Sequence, residues 1–149
     1  MKTGLAPLQA LLSALGRGAT AESPTPAAQP GPAPNPTAQG GGVVVVTVLG
    51  LAGEALEKVL DMVEAECRKL GRKPVLVTDR DDLTPFRRRK LIVEQVPDAE
   101  ALAGRDPDLP WRLYRERLFA LIGRRWRPSA SASFGRRPDP ACLAALEER

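Results

Sequence analysis

The sequence contains no histidine, and only 4% of its residues are aromatic. Without histidine the chain lacks the usual general base of neutral-pH catalysis and the commonest metal ligand. Ser-His-Asp catalysis, Cys-His catalysis and histidine-based zinc sites are therefore excluded within this chain. Because single-stranded nucleic acids are usually held by stacking on aromatic side chains, the shortage of aromatics also argues against that mode of binding.

Cysteine is scarce as well, since Cys67 and Cys142 are the only two and neither belongs to a CxxC pair. This spacing gives no zinc or thioredoxin-type signature. Cys67 falls on the apolar side of a predicted helix, where a free cysteine behaves as a small core residue. A Cys67–Cys142 disulfide is the alternative. The cysteine pattern favours a reduced, cytoplasmic location.

No apolar run approaches the roughly 18 residues of a membrane span, so none is predicted. Residues 1–21 have two interpretations. Lys2 and the apolar stretch that follows resemble a signal peptide, which Arg17 weakens. Alternatively, the segment is a short amphipathic docking helix with its leucines on one face. Residues 22–42 contain six prolines and end in three glycines, a composition that predicts a disordered linker.

The positive charge is concentrated in the C-terminal third. The formal net charge is +4, and residues 105–137 contain nine arginines against three acidic residues. The planar arginine fork suits phosphates and carboxylates better than lysine does. The cluster is interpreted either as a solvated helix face or as an anion-binding surface.

Residues 43–149 alternate between apolar strands and amphipathic helices. The segment 43–49 is apolar on both faces, as in a central parallel strand, and runs through a glycine turn into a helix. The order of elements predicts a small Rossmann-like three-layer α/β domain with a four-stranded, mostly parallel sheet. The predicted strands are 43–49, 74–78, 91–96 and 129–134, and the predicted helices are 53–70, 85–89, 110–125 and 140–148.

The helices and the last strand carry further signals. The helix 53–70 should end at Gly71, and its outer face offers the i,i+4 pairs Glu54–Lys58 and Glu64–Arg68. The polar strand 129–134 indicates an edge position. In the helix 110–125 and the residue after it, the predicted core stripe consists of Trp111, Tyr114, Leu118, Leu121, Ile122 and Trp126.

Ligands of parallel α/β sheets bind beyond the carboxyl ends of the strands, so those ends supply the site candidates. Gly50 and Gly53 are candidate N–H donors to a phosphate at the start of a helix. The GxGxxG fingerprint is incomplete, because Val48 occupies the place of its first glycine, and a purely structural turn is the alternative. Asp79, after the second strand, is predicted to accept hydrogen bonds from ribose or sugar hydroxyls.

Two charged runs complete the set of candidates. Asp79 and Asp81 superficially match the Asp-x-Asp motif that holds a divalent cation in many glycosyltransferases. That motif is short and aspartate is favoured in turns, so no metal is predicted and these two residues are only candidate ligands. Arg87, Arg88 and Arg89 form either a phosphate clamp or a solvated helix end. No cofactor is predicted.

Three segments resemble a poorly characterised Rossmann-like domain of bacterial glycosyltransferase and capsular-polysaccharide proteins: VLVTDRDDLTPFRRR at 75–89, DLPWRLYR at 108–115 and ALIGRRWRP at 120–128. The similarity covers about 43–135 and carries no catalytic residue with it. The resemblance implies a non-catalytic accessory module of surface-polysaccharide synthesis, which binds a nucleotide-sugar, a phosphate-bearing ligand or a partner protein such as a glycosyltransferase.

Three other functions stay open. One is nucleic-acid binding through the arginines, and another is an assembly role that needs no ligand. A stand-alone enzyme is the least favoured, because the chain has no histidine.

Overall fold

The computed structural model describes residues 41–148, so the predicted N-terminal segment and nearly all of the predicted linker lie outside the described residues. None of the helices in this part of the chain is long and apolar enough to cross a membrane. The elements are β1 Val43–Thr47, α1 Gly53–Lys69, β2 Lys73–Thr78, α2 Thr84–Arg88, β3 Ile92–Gln95, α3 Ala99–Arg105, α4 Trp111–Trp126, β4 Ala130–Ser133 and α5 Pro140–Glu147.

The four strands form one parallel sheet in the order β3-β2-β1-β4. Strand β1 is central, and its Val45 lies opposite Val75 of β2 and Ser131 of β4. The same order of strands begins the doubly wound α/β folds. The predicted parallel α/β domain is therefore confirmed, and β4 lies at an edge as its polar sequence indicated.

Both faces of the sheet are buried under helices. Successive side chains of a strand point to opposite faces, so Val44, Val46 and Val48 pack against α1 and α2, whereas Val45 and Leu49 pack against α4 and α5. All five of these side chains are at most 1% exposed. This arrangement is the predicted three-layer architecture.

Helix α1 ends as predicted at Gly71, whose φ of 61° is readily adopted only by glycine. The N–H of Arg72 donates to the carbonyl of Cys67 at 2.8 Å, and the N–H of Gly71 donates to Arg68 at 3.3 Å. These two bonds define a Schellman motif, which satisfies the last carbonyls of the helix. The cap fixes the direction in which the chain enters β2.

Only one of the two predicted i,i+4 pairs on α1 forms. Lys58 Nζ lies 2.8 Å from Glu54 Oε1. Glu64 does not pair with Arg68 and instead accepts a 2.6 Å bond from Arg89. The prediction was wrong there because a neighbouring helix brings a guanidinium closer than the helix's own next turn does.

The predicted core stripe of α4 is partly wrong. Tyr114 is 46% exposed and Leu121 is 51% exposed, whereas Phe119 is fully buried and Ile122 is 5% exposed. The helix carries apolar side chains on more than one face, and its packing against α5 selects the face that contains Phe119. Trp111 and Trp126 are half-buried rather than in the core, and Trp126 packs against the edge of the buried cluster that α4 and α5 form.

The close approach of α4 to α5 depends on Gly123. A Cβ atom on this residue would overlap the backbone carbonyl of Leu146 in α5. Backbone atoms cannot move aside as a flexible side chain can, so the two helices meet at this distance only because glycine has no side chain.

The two cysteines lie on opposite faces of the sheet, Cys67 in α1 and Cys142 in α5. Both are free and buried, so the alternative of a disulfide between them is wrong. Burial raises the pKa of both thiols above the ordinary value, which keeps them protonated and weakly nucleophilic.

We expect Gly123→Ala to lower the free energy of unfolding by about 1–3 kcal/mol, because the added methyl group overpacks the α4–α5 contact. Gly104→Ala is the matched control, since Gly104 also lies in a helix but has open space around its Cα. There alanine should stabilise by about 0.5–1 kcal/mol through helix propensity. Urea denaturation measures both variants, and equal effects would contradict the packing argument.

We also expect both cysteines to resist alkylation by iodoacetamide at mildly alkaline pH in the native protein. Their reaction rates should rise steeply across the urea unfolding transition, because unfolding exposes the thiols and lowers their raised pKa values. Mass spectrometry of the alkylated chain gives the rate for each residue. Fast alkylation of Cys142 without urea would show that α5 is not packed as described.

Candidate functional site

Doubly wound folds bind their ligands in a crevice at the point where the strand order reverses. In this protein that point lies between β1 and β4, and the loops that follow these two strands close it. The N–H of Arg136 donates to the carbonyl of Leu49 at 2.8 Å. A Cβ atom on Gly135 would overlap that same carbonyl, so the two backbones are in direct contact. This crevice is filled by the protein itself.

The predicted anion-binding turn already binds a carboxylate of the protein's own chain. The N–H of Gly50, a residue with φ of 70°, donates to Asp79 Oδ1 at 2.9 Å. The carboxylate of Asp79 thus stands where a phosphate oxygen was expected. Gly53 lies exposed at the start of α1, and its N-cap residue, Ala52, makes no side-chain capping bond.

The predicted phosphate clamp on α2 contacts α1 instead. Arg89 donates to three carboxylates at 2.5–2.6 Å, and these bonds raise the pKa of its guanidinium. Arg88 donates to one of the same carboxylates at 2.9 Å. Arg87 is exposed and forms no ion pair within residues 41–148. The carboxylates are Glu57, Asp61 and Glu64 of α1.

These ion pairs hold Arg88 and Arg89 against the side of α1. Glu57 accepts from both arginines and lies four residues along α1 from Gly53, about 6 Å at the helical rise of 1.5 Å per residue. The structure therefore brings Gly50 and Asp79 together and engages Arg88 and Arg89 with carboxylates of α1 instead of with the glycine turn. In the described structure these two arginines join α2 to α1.

A cleft of about 440 Å³ opens beside the ends of β2 and β3. We call it the acidic cleft, because it is lined by three carboxylates and one guanidinium. Pro97, Ala101 and Leu102 supply apolar surface within it. Its volume lies in the ~300–1,000 Å³ range of small-molecule sites. The polar side chains that line it are those of Asp79, Asp81, Gln95, Asp98 and Arg105.

Hydrogen bonds from the protein hold these polar groups in position. Gln95 Nε2 donates to the carbonyl of Arg80 at 2.8 Å and to Asp81 at 3.4 Å. Asp98 is the N-cap of α3 and accepts from the N–H of Glu100 at 2.8 Å. Each carboxylate has about four acceptor positions, so acceptor capacity is left over for a ligand. The cleft suits hydroxyl or ammonium donors better than it suits phosphates.

The predicted metal candidates do not form a cation site with their neighbours. Within the described residues there is no group of three or more acidic, cysteine or histidine side chains placed to hold a metal ion. Asp79 is bonded to the glycine turn and Asp81 to Gln95. Asp82 accepts from Thr84 at 3.0 Å at the start of α2, and its bonds to Thr84 lower the pKa of that carboxyl.

Three residues of the acidic cleft were not among the predicted site residues. Gln95 closes the edge strand β3, and Asp98 and Arg105 begin and end α3. No helix or strand was predicted between residues 96 and 110, so the directions of these side chains were not predicted. The available signal was Asp98 after Pro97, an N-cap residue placed just before a run of good helix formers.

Comparisons with protein-family models, curated proteins and solved structures return no match to this chain. The resemblance to the glycosyltransferase-associated domain, and the cytoplasmic location, therefore stay predictions. The acidic cleft has to be interpreted from its own geometry.

We expect Arg89→Met to destabilise the protein by about 1 kcal/mol, the upper end for surface ion pairs, because Arg89 serves three carboxylates at once. Arg87→Met is the matched control and should change the urea midpoint little. The difference between the two variants should shrink at high salt, which screens exposed charges. If Arg89 were instead a free phosphate clamp, inorganic phosphate would stabilise the wild type but not Arg89→Met.

Proposed function

We propose that this chain is a non-catalytic accessory module that binds the hydroxyl groups of a sugar in the acidic cleft. The observation that carries the proposal is the cleft itself, where three carboxylates and an amide share the lining with apolar side chains. Carboxylates and amides exchange hydrogen bonds with hydroxyl groups, and apolar side chains cover the C–H face of a sugar ring. A glycosyltransferase would be the enzyme served, as the sequence resemblance implies.

The charge of the cleft favours a neutral ligand group. Asp79, Asp81 and Asp98 outnumber Arg105, so a phosphate placed among them would be repelled. A nucleotide-sugar would therefore place its sugar in the cleft and its diphosphate outside, toward the exposed start of α1. A free glycan would place only its hydroxyl groups there. Both ligands have a sugar ring, and the ring is the part that the cleft would bind.

The non-catalytic part of the proposal is supported by how the polar groups at this edge are engaged. The carboxylate of Asp79 is held by the glycine turn, and that of Asp98 caps a helix. The groups are arranged to hold hydrogen-bonding partners in fixed directions.

Nucleic-acid binding is less favoured by the same contacts. Two of the three arginines in the basic run 87–89 form ion pairs with carboxylates of α1. The acidic cleft would also repel a phosphate backbone. Binding of this kind would show a steep loss of affinity with salt, which the sugar proposal does not require.

We expect a UDP-hexose to raise the thermal midpoint of the full chain at moderate salt, in a panel containing UDP-glucose, UDP-galactose, UDP and the two free hexoses. A ligand at 100 times its dissociation constant adds about 2.7 kcal/mol to stability. A response to UDP-hexoses and free hexoses but not to UDP supports sugar recognition. A response to UDP alone would contradict it.

Asp81→Asn tests the position of the ligand. Asp81 lies in the cleft, is exposed and, within residues 41–148, its side chain hydrogen-bonds only to Gln95. The variant should therefore fold normally and bind the hexose more weakly by about tenfold. Asp108→Asn is the matched control, because Asp108 is an exposed aspartate outside the cleft. Equal binding by both variants would place the ligand elsewhere.

A further inference from the structure

Helix α4 presents a second apolar face to solvent, opposite the one that packs on the sheet. Leu113 is 45% exposed, Tyr114 46% and Leu121 51%. Exposed apolar side chains that cluster in this way mark interaction surfaces more often than scattered ones do. We call this surface the outer face of α4, and it consists of Leu113, Tyr114, Arg117, Leu121 and Arg124.

The outer face is continuous along the helix. Residues 113, 117, 121 and 124 follow one another at intervals of four, four and three, so they lie in one row about 16 Å long. Tyr114 widens the row near its start and packs edge-on against Trp111 at a centroid distance of 6.1 Å. A row of this length matches three turns of a partner helix.

Two arginines in the row have no acidic partner in the part of the chain that the structure describes. The exposed arginines at either side are engaged, because Arg112 lies 3.3 Å from Asp139 and Arg125 lies 2.7 Å from Glu94. Arg117 and Arg124 form no ion pair within residues 41–148. Arg117 lies between the exposed Leu113 and Leu121, and Arg124 lies about one turn beyond Leu121. A docked partner would have to supply carboxylates beside the leucines.

We propose that the outer face of α4 binds an amphipathic helix of a partner protein, with apolar side chains along one face and glutamate or aspartate beside them. The leucines and Tyr114 supply apolar contact, as in helix-in-groove recognition. Arg117 and Arg124 select the partner by charge. This surface is separate from the acidic cleft and does not depend on the sugar proposal.

Charge decides against the two occupants that the chain itself offers. A second copy that docked through the same face across a two-fold axis would present only the same five side chains, and none of these is a carboxylate. The leucine-rich segment 1–21 contains Lys2 and Arg17 and no acidic residue. Neither occupant supplies a carboxylate, whereas an acidic helix does.

The test uses the full chain and two fluorescent peptides of about five helical turns. Both peptides carry leucines at i, i+3, i+4 and i+7, and the other positions are glutamate in one and lysine in the other. Fluorescence anisotropy should show binding of the glutamate peptide at least about tenfold tighter than that of the lysine peptide, with a preference that weakens as salt rises. Equal binding, or no binding, would overturn the proposal.

Three variants locate the contact. Leu113→Ser with Leu121→Ser should weaken binding of the glutamate peptide by about tenfold. Leu70→Ser is the matched control, because Leu70 is 44% exposed on another helix end. Arg117→Glu with Arg124→Glu should reverse the preference toward the lysine peptide. All these side chains are exposed, so unchanged urea midpoints are expected and confirm that the variants fold.

The remaining outcomes identify other occupants and would also overturn the proposal. Self-association in sedimentation that disappears in the Leu113→Ser, Leu121→Ser variant would assign the face to a second copy. Peptide binding that appears only after Leu8, Leu11 and Leu12 are changed to serine would assign it to the N-terminal segment. Tighter binding of a single-stranded oligonucleotide, lost with Arg117→Glu and Arg124→Glu, would assign it to nucleic acid.

Discussion

Strand β1 constrains the rest of the molecule, because it is buried on both faces and hydrogen-bonded along both edges. Its valines alternate between two helical layers, and its partners β2 and β4 take their register from it. The turn that follows must therefore meet both the end of β2 and the loop after β4. The bonds from Gly50 to Asp79 and from Arg136 to Leu49 satisfy these two contacts.

The contact between the loops that follow β1 and β4 accounts for the unusual position of the candidate site. In doubly wound folds the ligand enters where the strand order reverses, but here backbone contact fills that place. The acidic cleft lies one strand away, beside β2 and β3, and it is lined by carboxylates. In the proposed function, a site of this character and position would separate recognition of hydroxyl groups from recognition of phosphate.

Much of the fold could be predicted from the sequence, because hydrophobic periodicity and turn-forming residues are local features of a chain. These local features located the apolar strand β1, the end of α1 at Gly71 and the polar edge strand β4. The side-chain partners could not be predicted in the same way. Arg89 binds residues 25–32 positions away, and the buried face of α4 depends on the shape of α5. The turn residues Gly50 and Asp79 were predicted, but their bond to each other was not.

The pairing of β1 with β4 also governs how the chain folds. The hydrogen bond from Ser129 to Val43 joins residues 86 positions apart, and parallel pairings of such separation form slowly because a long loop must close first. Until α4 and β4 have formed, one edge of the valine-rich strand β1 is left without a partner. An uncovered edge of this kind invites pairing with another chain. Yield on refolding should therefore fall as protein concentration rises, even though the finished domain covers that edge completely.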